Sequence, residues 1–171
     1  MKEEDFREEL KSFLMDKLVE WKLDNNFEVS EKQKILTDFT ISESETKKFM
    51  LYAGFLEQDI AILFKNRIIN LKGDIELYRS TEIKVPIAII ELKLANNFNV
   101  HHLITYSAIA SKIKVLFPYC HYFMVVKGER KFRNLTLNRH AKSLKVFDDW
   151  DTQKDQLANK LKQILESSGE L

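Results

Sequence analysis

An aspartate, a glutamate and a lysine interrupt the most apolar stretches of this 171-residue chain. Asp59 stands near the head of QDIAILF (58–64), and Glu91 and Lys93 lie two apart inside VPIAIIELKLA (85–95). Side chains alternate between the faces of a strand, so Glu91 and Lys93 project to one side. Residues 87–90 are all apolar, as in a strand buried on both faces, where charges are rare unless paired or bound to an ion. Two readings follow: a same-face ion pair with Asp59 as a turn residue, or an active site. If 58–64 and 86–95 are neighbouring strands, Asp59 and Glu91 converge at one end of a sheet. Two carboxylates at such a point suit Mg²⁺, a hard cation that takes one or two carboxylates and keeps several waters. The backbone carbonyl of Leu92 offers a further oxygen. Lys93 beside them could orient or help deprotonate an attacking water and stabilise negative charge on a phosphate.

The elements that must position these residues can be read from periodicity. Phe6, Leu10, Phe13, Leu14, Leu18 and Trp21 line one face of a helix over 3–22. Residues 35–41 read as strand. Ser42 and Glu45 form a capping-box pattern that predicts a helix over 42–54, with Gly54 as its stop. Strand follows over 58–64, with further strand or hairpin pieces around Gly73. The central strand is predicted over 86–95, with Pro86 at its first position. Asn99 starts a mostly buried helix over 99–117, and 121–128 is a second buried strand ended by Gly128. A short strand within 143–150 and a surface helix over 152–169 complete the order. A helix joining two buried strands is the crossover expected of parallel neighbours, and the strands before it suggest an antiparallel meander. The fold class is α/β, with a mixed central sheet flanked by helices.

Asp59 followed by Glu91-Leu92-Lys93, with an apolar strand directly before the glutamate, resembles the PD-(D/E)XK nuclease superfamily. The resemblance covers about residues 50–127 and implies a restriction endonuclease-like αβββαβ core, with the aspartate on the second strand and E-x-K on the third. The layout looks closest to the nuclease domains of type I restriction motor subunits and helicase-coupled nucleases. Gln58 replaces the proline of the family name. The Q-x-x-x-Y motif of many members corresponds to His102-Leu-Ile-Thr-Tyr106, whose spacing puts His102 and Tyr106 on one helix face. Plain helix packing is the competing reading of that pair. Many members also use a first-helix glutamate, for which Glu9 and Glu20 are the candidates, with Glu45 a third. Glu82-Ile83-Lys84 and Glu129-Arg130-Lys131 also read E-x-K but lie in less apolar contexts. The resemblance implies Mg²⁺-dependent hydrolysis of DNA phosphodiester bonds, with Mn²⁺ expected to substitute. The alternative is a non-catalytic module that keeps the fold and binds nucleic acid or protein.

Charge is segregated: residues 112–145 carry nine basic side chains and one acidic, although the chain's net charge is only +1. Lys127, Arg130, Lys131, Arg133, Arg139 and Lys142 of this segment are expected to meet DNA phosphates in a salt-sensitive, largely sequence-independent way. A solvated lysine-rich surface is the plainer alternative. We expect a single domain over 1–171, acting as a homodimer or with a partner subunit that supplies specificity or a motor. The chain has no P-loop or G-x-S-x-G pattern, which disfavours a P-loop NTPase or an elbow-type serine hydrolase. No apolar run nears the roughly 20 residues that cross a bilayer, so no membrane role is expected. The lone Cys120 reads as a buried bystander in a reducing, cytoplasmic setting.

Overall fold

A computed structural model describes residues 2–43, 49–70, 82–128 and 133–168. Helix α1 (Glu3–Glu20) leads into strands β1 (Phe27–Glu43), β2 (Phe49–Asn70) and β3 (Glu82–Leu94). Helix α2 (Val100–Leu116), β4 (His121–Lys127), α3 (Asn134–His140), β5 (Lys145–Phe147) and α4 (Trp150–Ser168) follow. The sheet has the order β1-β2-β3-β4-β5. Its first three strands form the antiparallel meander, and β3, β4 and β5 are parallel neighbours. Helix α2 is the crossover between β3 and β4. This is the expected α/β restriction endonuclease-like core with a mixed sheet.

Two apolar layers hold the sheet. On one face, Phe6, Leu10, Leu14 and Leu18 of α1 pack with Trp150, Leu157, Leu161 and Leu165 of α4 against Ile60, Ile62, Ile90 and Leu92. Each such side chain contributes about 1.5–3 kcal/mol by leaving water. The other face buries Leu103, Ala110 and Ile113 of α2 against Ala61, Leu63, Ile89 and Met124. β3 feeds both layers, which is why its sequence is apolar without alternation. Asn99 caps α2 by accepting from the His102 amide, as expected of its first-turn position.

The expected helix over 42–54 is absent among the described residues. Residues 42–43 end β1 and residues 49–54 begin β2, in a ladder running from Phe27↔Phe64 to Glu43↔Phe49. A local capping pattern is worth only about 1 kcal/mol, and a ladder this long outweighs it. Glu45 lies outside the described residues. Gly54 does not stop a helix: it sits inside β2, where a Cβ would collide with the Asp38 carboxylate. The register of the ladder slips beside it, between Leu36 and Asp38. Pro86 is likewise inside its strand, opposite Leu63 and beside register shifts, where a missing N–H is tolerated. Helix α3, unanticipated from the sequence, forms within the basic segment.

Candidate active site at the end of strands β2 and β3

The β2–β3 ladder pairs Ile60 with Ile90 at this end of the sheet, with Asp59 and Glu91 as the next residues beyond it. The freed amide of Leu92 donates to Asp59 Oδ2 at 2.9 Å, so a side chain takes over the ladder and fixes the carboxylate against β3. Asp59, Glu91, Leu92 and Lys93 are thereby brought to one place.

Glu91 is 6% exposed. Its Oε1 accepts from Lys93 Nζ at 3.1 Å, and the Tyr106 hydroxyl lies within hydrogen-bonding reach. Burial and the neighbouring Asp59 charge push the Glu91 carboxyl up to about 7, against the pull of Lys93. Burial by itself would lower the Lys93 ammonium, but Glu91, Tyr106 and Glu3 outweigh it and raise it instead. Lys93 Nζ also stands 5.1 Å from the centroid of the Tyr106 ring. Tyr106 is itself pushed up to about 12 by burial and by Glu91.

Helix α1 crosses this end of the sheet. Glu3, Arg7 and Lys11, each one turn apart, reach Lys93 of β3 at 3.1 Å, Asp59 of β2 at 3.3 Å and Glu31 of β1 at 2.9 Å. The first-helix carboxylate beside the site is therefore Glu3. Glu9 instead accepts from Lys127 Nζ at 3.1 Å and Trp150 Nε1 at 2.8 Å, and Glu20 pairs with Lys17 at 2.6 Å. Neither reaches the Asp59–Glu91 pair through these contacts. His102 and Tyr106 share a helix face, their rings 6.4 Å apart and nearly parallel. Their contacts differ: Tyr106 meets Glu91 and Lys93, while His102 Nδ1 accepts from the Asn99 amide at 3.3 Å and completes the helix cap.

Three contributors carry no earlier sequence signal of their role. Arg7 and Glu3 depend on the crossing path of α1. Gln58, the residue in place of the motif proline, is buried, and its Oε1 accepts from the Tyr122 hydroxyl at 2.6 Å, tying β2 to β4.

The acidic set is a pair. Among the described residues no three His, Cys, Asp or Glu side chains gather as a metal site would. A pair nonetheless fits Mg²⁺, which needs one or two carboxylates. Burial first, and then the Asp59 charge, lift the Glu91 carboxyl, and a divalent cation held by the two carboxylates would offset both.

A solved structure described as the native BbvCI A2B2 tetramer at low resolution is similar, with a TM-score of 0.52 at 14% identity. The likeness covers 79% of this chain and 55% of that one, so the chain spans about half the length of its neighbour. The shared feature is the fold. No family model matches the chain, and no curated protein matches it.

The basic segment divides. Lys127 is held by Asp151 at 2.6 Å and Glu9 at 3.1 Å, with 16% of its side chain exposed. Arg133, Arg139 and Lys142 are exposed. Arg139, His140 and Lys142 border a cleft of about 290 Å³ against Ser107 and Ser111 of α2. Arg130 and Lys131 lie outside the described residues. Cys120 is buried, and burial pushes its thiol up to about 12. No helix among the described residues is long and apolar enough to cross a membrane.

Proposed function

We propose that this chain is a Mg²⁺-dependent deoxyribonuclease that hydrolyses DNA phosphodiester bonds, most simply as an endonuclease. The observation that carries this reading is the gathering of Asp59, Glu91 and Lys93 at one end of the sheet, with Asp59 accepting from the Leu92 amide and the Lys93 ammonium donating to Glu91. The likeness of the fold to a restriction endonuclease supports it. Asp59 and Glu91 would hold the cation, with the Leu92 carbonyl as a further oxygen. The cation, when bound, polarises the phosphate and water oxygens. Lys93, kept fully charged by its carboxylate neighbours, donates hydrogen bonds to the attacking water and to the non-bridging phosphate oxygens. An ammonium raised in this way serves as a donor rather than a base. Tyr106 holds Glu91 and backs Lys93.

The exposed Arg133, Arg139 and Lys142 would meet the DNA backbone. A chain with one such site cuts both strands as a homodimer or beside a partner subunit, and that subunit can supply specificity or a motor, as in type I restriction systems. The A2B2 assembly of BbvCI is consistent with such an arrangement.

Incubating the protein with supercoiled plasmid and Mg²⁺ or Mn²⁺, beside Asp59→Ala and Lys93→Ala, tests the reading. Nicked and linear products from wild type alone are expected. Inactivity of wild type on duplex, single-stranded and branched DNA would remove the enzyme reading. One observation favours a second reading, a non-catalytic binding module: every charge at the site already has a protein partner, Arg7 on Asp59 and Glu3 with Glu91 on Lys93.

A further inference from the structure

The contact between Arg7 and Asp59 has no place in the proposed hydrolysis, yet it occupies the carboxylate on which that hydrolysis depends. Arg7 Nε lies 3.3 Å from Asp59 Oδ1, and 12% of the Arg7 side chain is exposed. Asp59 therefore uses one oxygen for Arg7 and the other for the Leu92 amide. The two contacts are unequal. The amide bond, at 2.9 Å, is at the usual length for N–H···O, whereas the guanidinium contact is longer than the 2.7–2.9 Å typical of a charge-assisted bond and uses a single nitrogen. Orientation of Asp59 thus comes from β3, and Arg7 contributes mainly its positive charge.

We propose that Arg7 stands in for the cation: it neutralises Asp59 in the metal-free protein and leaves Oδ1 when a divalent cation binds. Its presence sets the metal affinity of the site. Two like-signed ions on one carboxylate oxygen repel each other, so an arriving cation weakens the long guanidinium contact and favours its departure. Helix α1 is held in place independently of this contact by Phe6, Leu10, Leu14 and Leu18, so the side chain can swing away without releasing the helix. This inference rests on the reading of Asp59 as a cation ligand.

The test is calorimetric titration of Mn²⁺ into DNA-free wild type, Arg7→Met, Arg7→Lys and Asp59→Asn. Removing the competing charge in Arg7→Met is expected to tighten Mn²⁺ binding by roughly tenfold, the direction that relief of like-charge repulsion dictates. Arg7→Lys, which keeps the charge, should stay within about twofold of wild type by the same argument. Equal or weaker binding in Arg7→Met than in wild type, with binding lost in Asp59→Asn, overturns the inference and leaves the cation site standing. Wild-type affinity in Asp59→Asn overturns both. A measurement on the unsubstituted protein guards against a folding defect in the variants. The Nε–H resonance of Arg7 should shift to that of a free guanidinium on Mg²⁺ addition, and an unchanged resonance at saturation contradicts displacement.

Discussion

Lys93 and Lys127 occupy matching places in the fold, and their surroundings differ in one decisive respect. Each lies at the end of a parallel strand, Lys93 on β3 and Lys127 opposite Leu94 on β4. Each takes a glutamate from α1, Glu3 in one case and Glu9 in the other. Each has a second carboxylate, Glu91 or Asp151. Around Lys127 those carboxylates are solvated, with Glu9 41% and Asp151 59% exposed, and Glu9 also accepts from Trp150. Hydrogen bonds from Lys127 to Asp151 and Glu9 outweigh its burial and raise it, and every partner is content. Around Lys93, Glu91 is 8% exposed on its side chain and is repelled by Asp59. One cluster ties helices α1 and α4 to the sheet. The other keeps two carboxylates together at a cost in electrostatic energy, which is the kind of local conflict found where a site serves chemistry.

The largest contrast is expected in cleavage. Glu91→Ala should lower plasmid cleavage by about 10²–10³-fold, the range for losing one charge-stabilising group. Glu9→Ala should stay within a few-fold of wild type. Equal losses in the two variants would erase the distinction drawn between the clusters.

A smaller contrast concerns stability against pH. The Glu91 carboxyl is raised from 4.5 to about 7, so between those values the folded protein holds a proton that the unfolded chain has released. That bound proton stabilises the fold at low pH, and the benefit fades as pH rises through about 7. Wild type should therefore lose stability relative to Glu91→Gln between pH 4.5 and 7, by about 3 kcal/mol at most. Glu9→Gln should show no such divergence from wild type. Denaturant melts across this pH range measure both, and parallel curves for wild type and Glu91→Gln would contradict the buried, crowded carboxylate.

The smallest effect is expected at Lys127. Lys127→Met keeps an unbranched apolar side chain and leaves two solvated carboxylates, so it should cost about 1 kcal/mol or less in chemical denaturation. A loss several times larger would mean that this cluster, too, is electrostatically critical.

What was legible in the sequence follows the same division. The β3–α2–β4 crossover shows itself because residues 87–90 and 122–126 are continuously apolar and Asn99 marks the helix start. The placement of Glu91 and Lys93 on one face follows from the strand period alone. The hairpin of β1 and β2 was obscured by Ser42 and Glu45, whose local capping pattern says nothing about a partner strand. The first-helix carboxylate was unreadable for a different reason. Glu9 and Glu20 flank the apolar stripe of α1 while Glu3 stands in line with it at its N-terminal end, and the path of the helix across β3, β2 and β1 selects Glu3. Arg7 on Asp59 and Tyr122 on Gln58 are tertiary pairs of the same kind, separated by 52 and 64 residues.

The central claim is that Asp59 and Glu91 are a carboxylate pair built to receive a divalent cation. Titrating Mn²⁺ into the DNA-free protein at pH 6 and pH 8, with Asp59→Asn alongside, tests it most directly. A Glu91 carboxyl at about 7 is mostly protonated at the lower pH and mostly ionised at the higher. The account predicts binding about tenfold tighter at pH 8, with proton release at pH 6, and its loss in Asp59→Asn. Binding that is absent at both pH values, or that survives the Asp59 substitution unchanged, would contradict it.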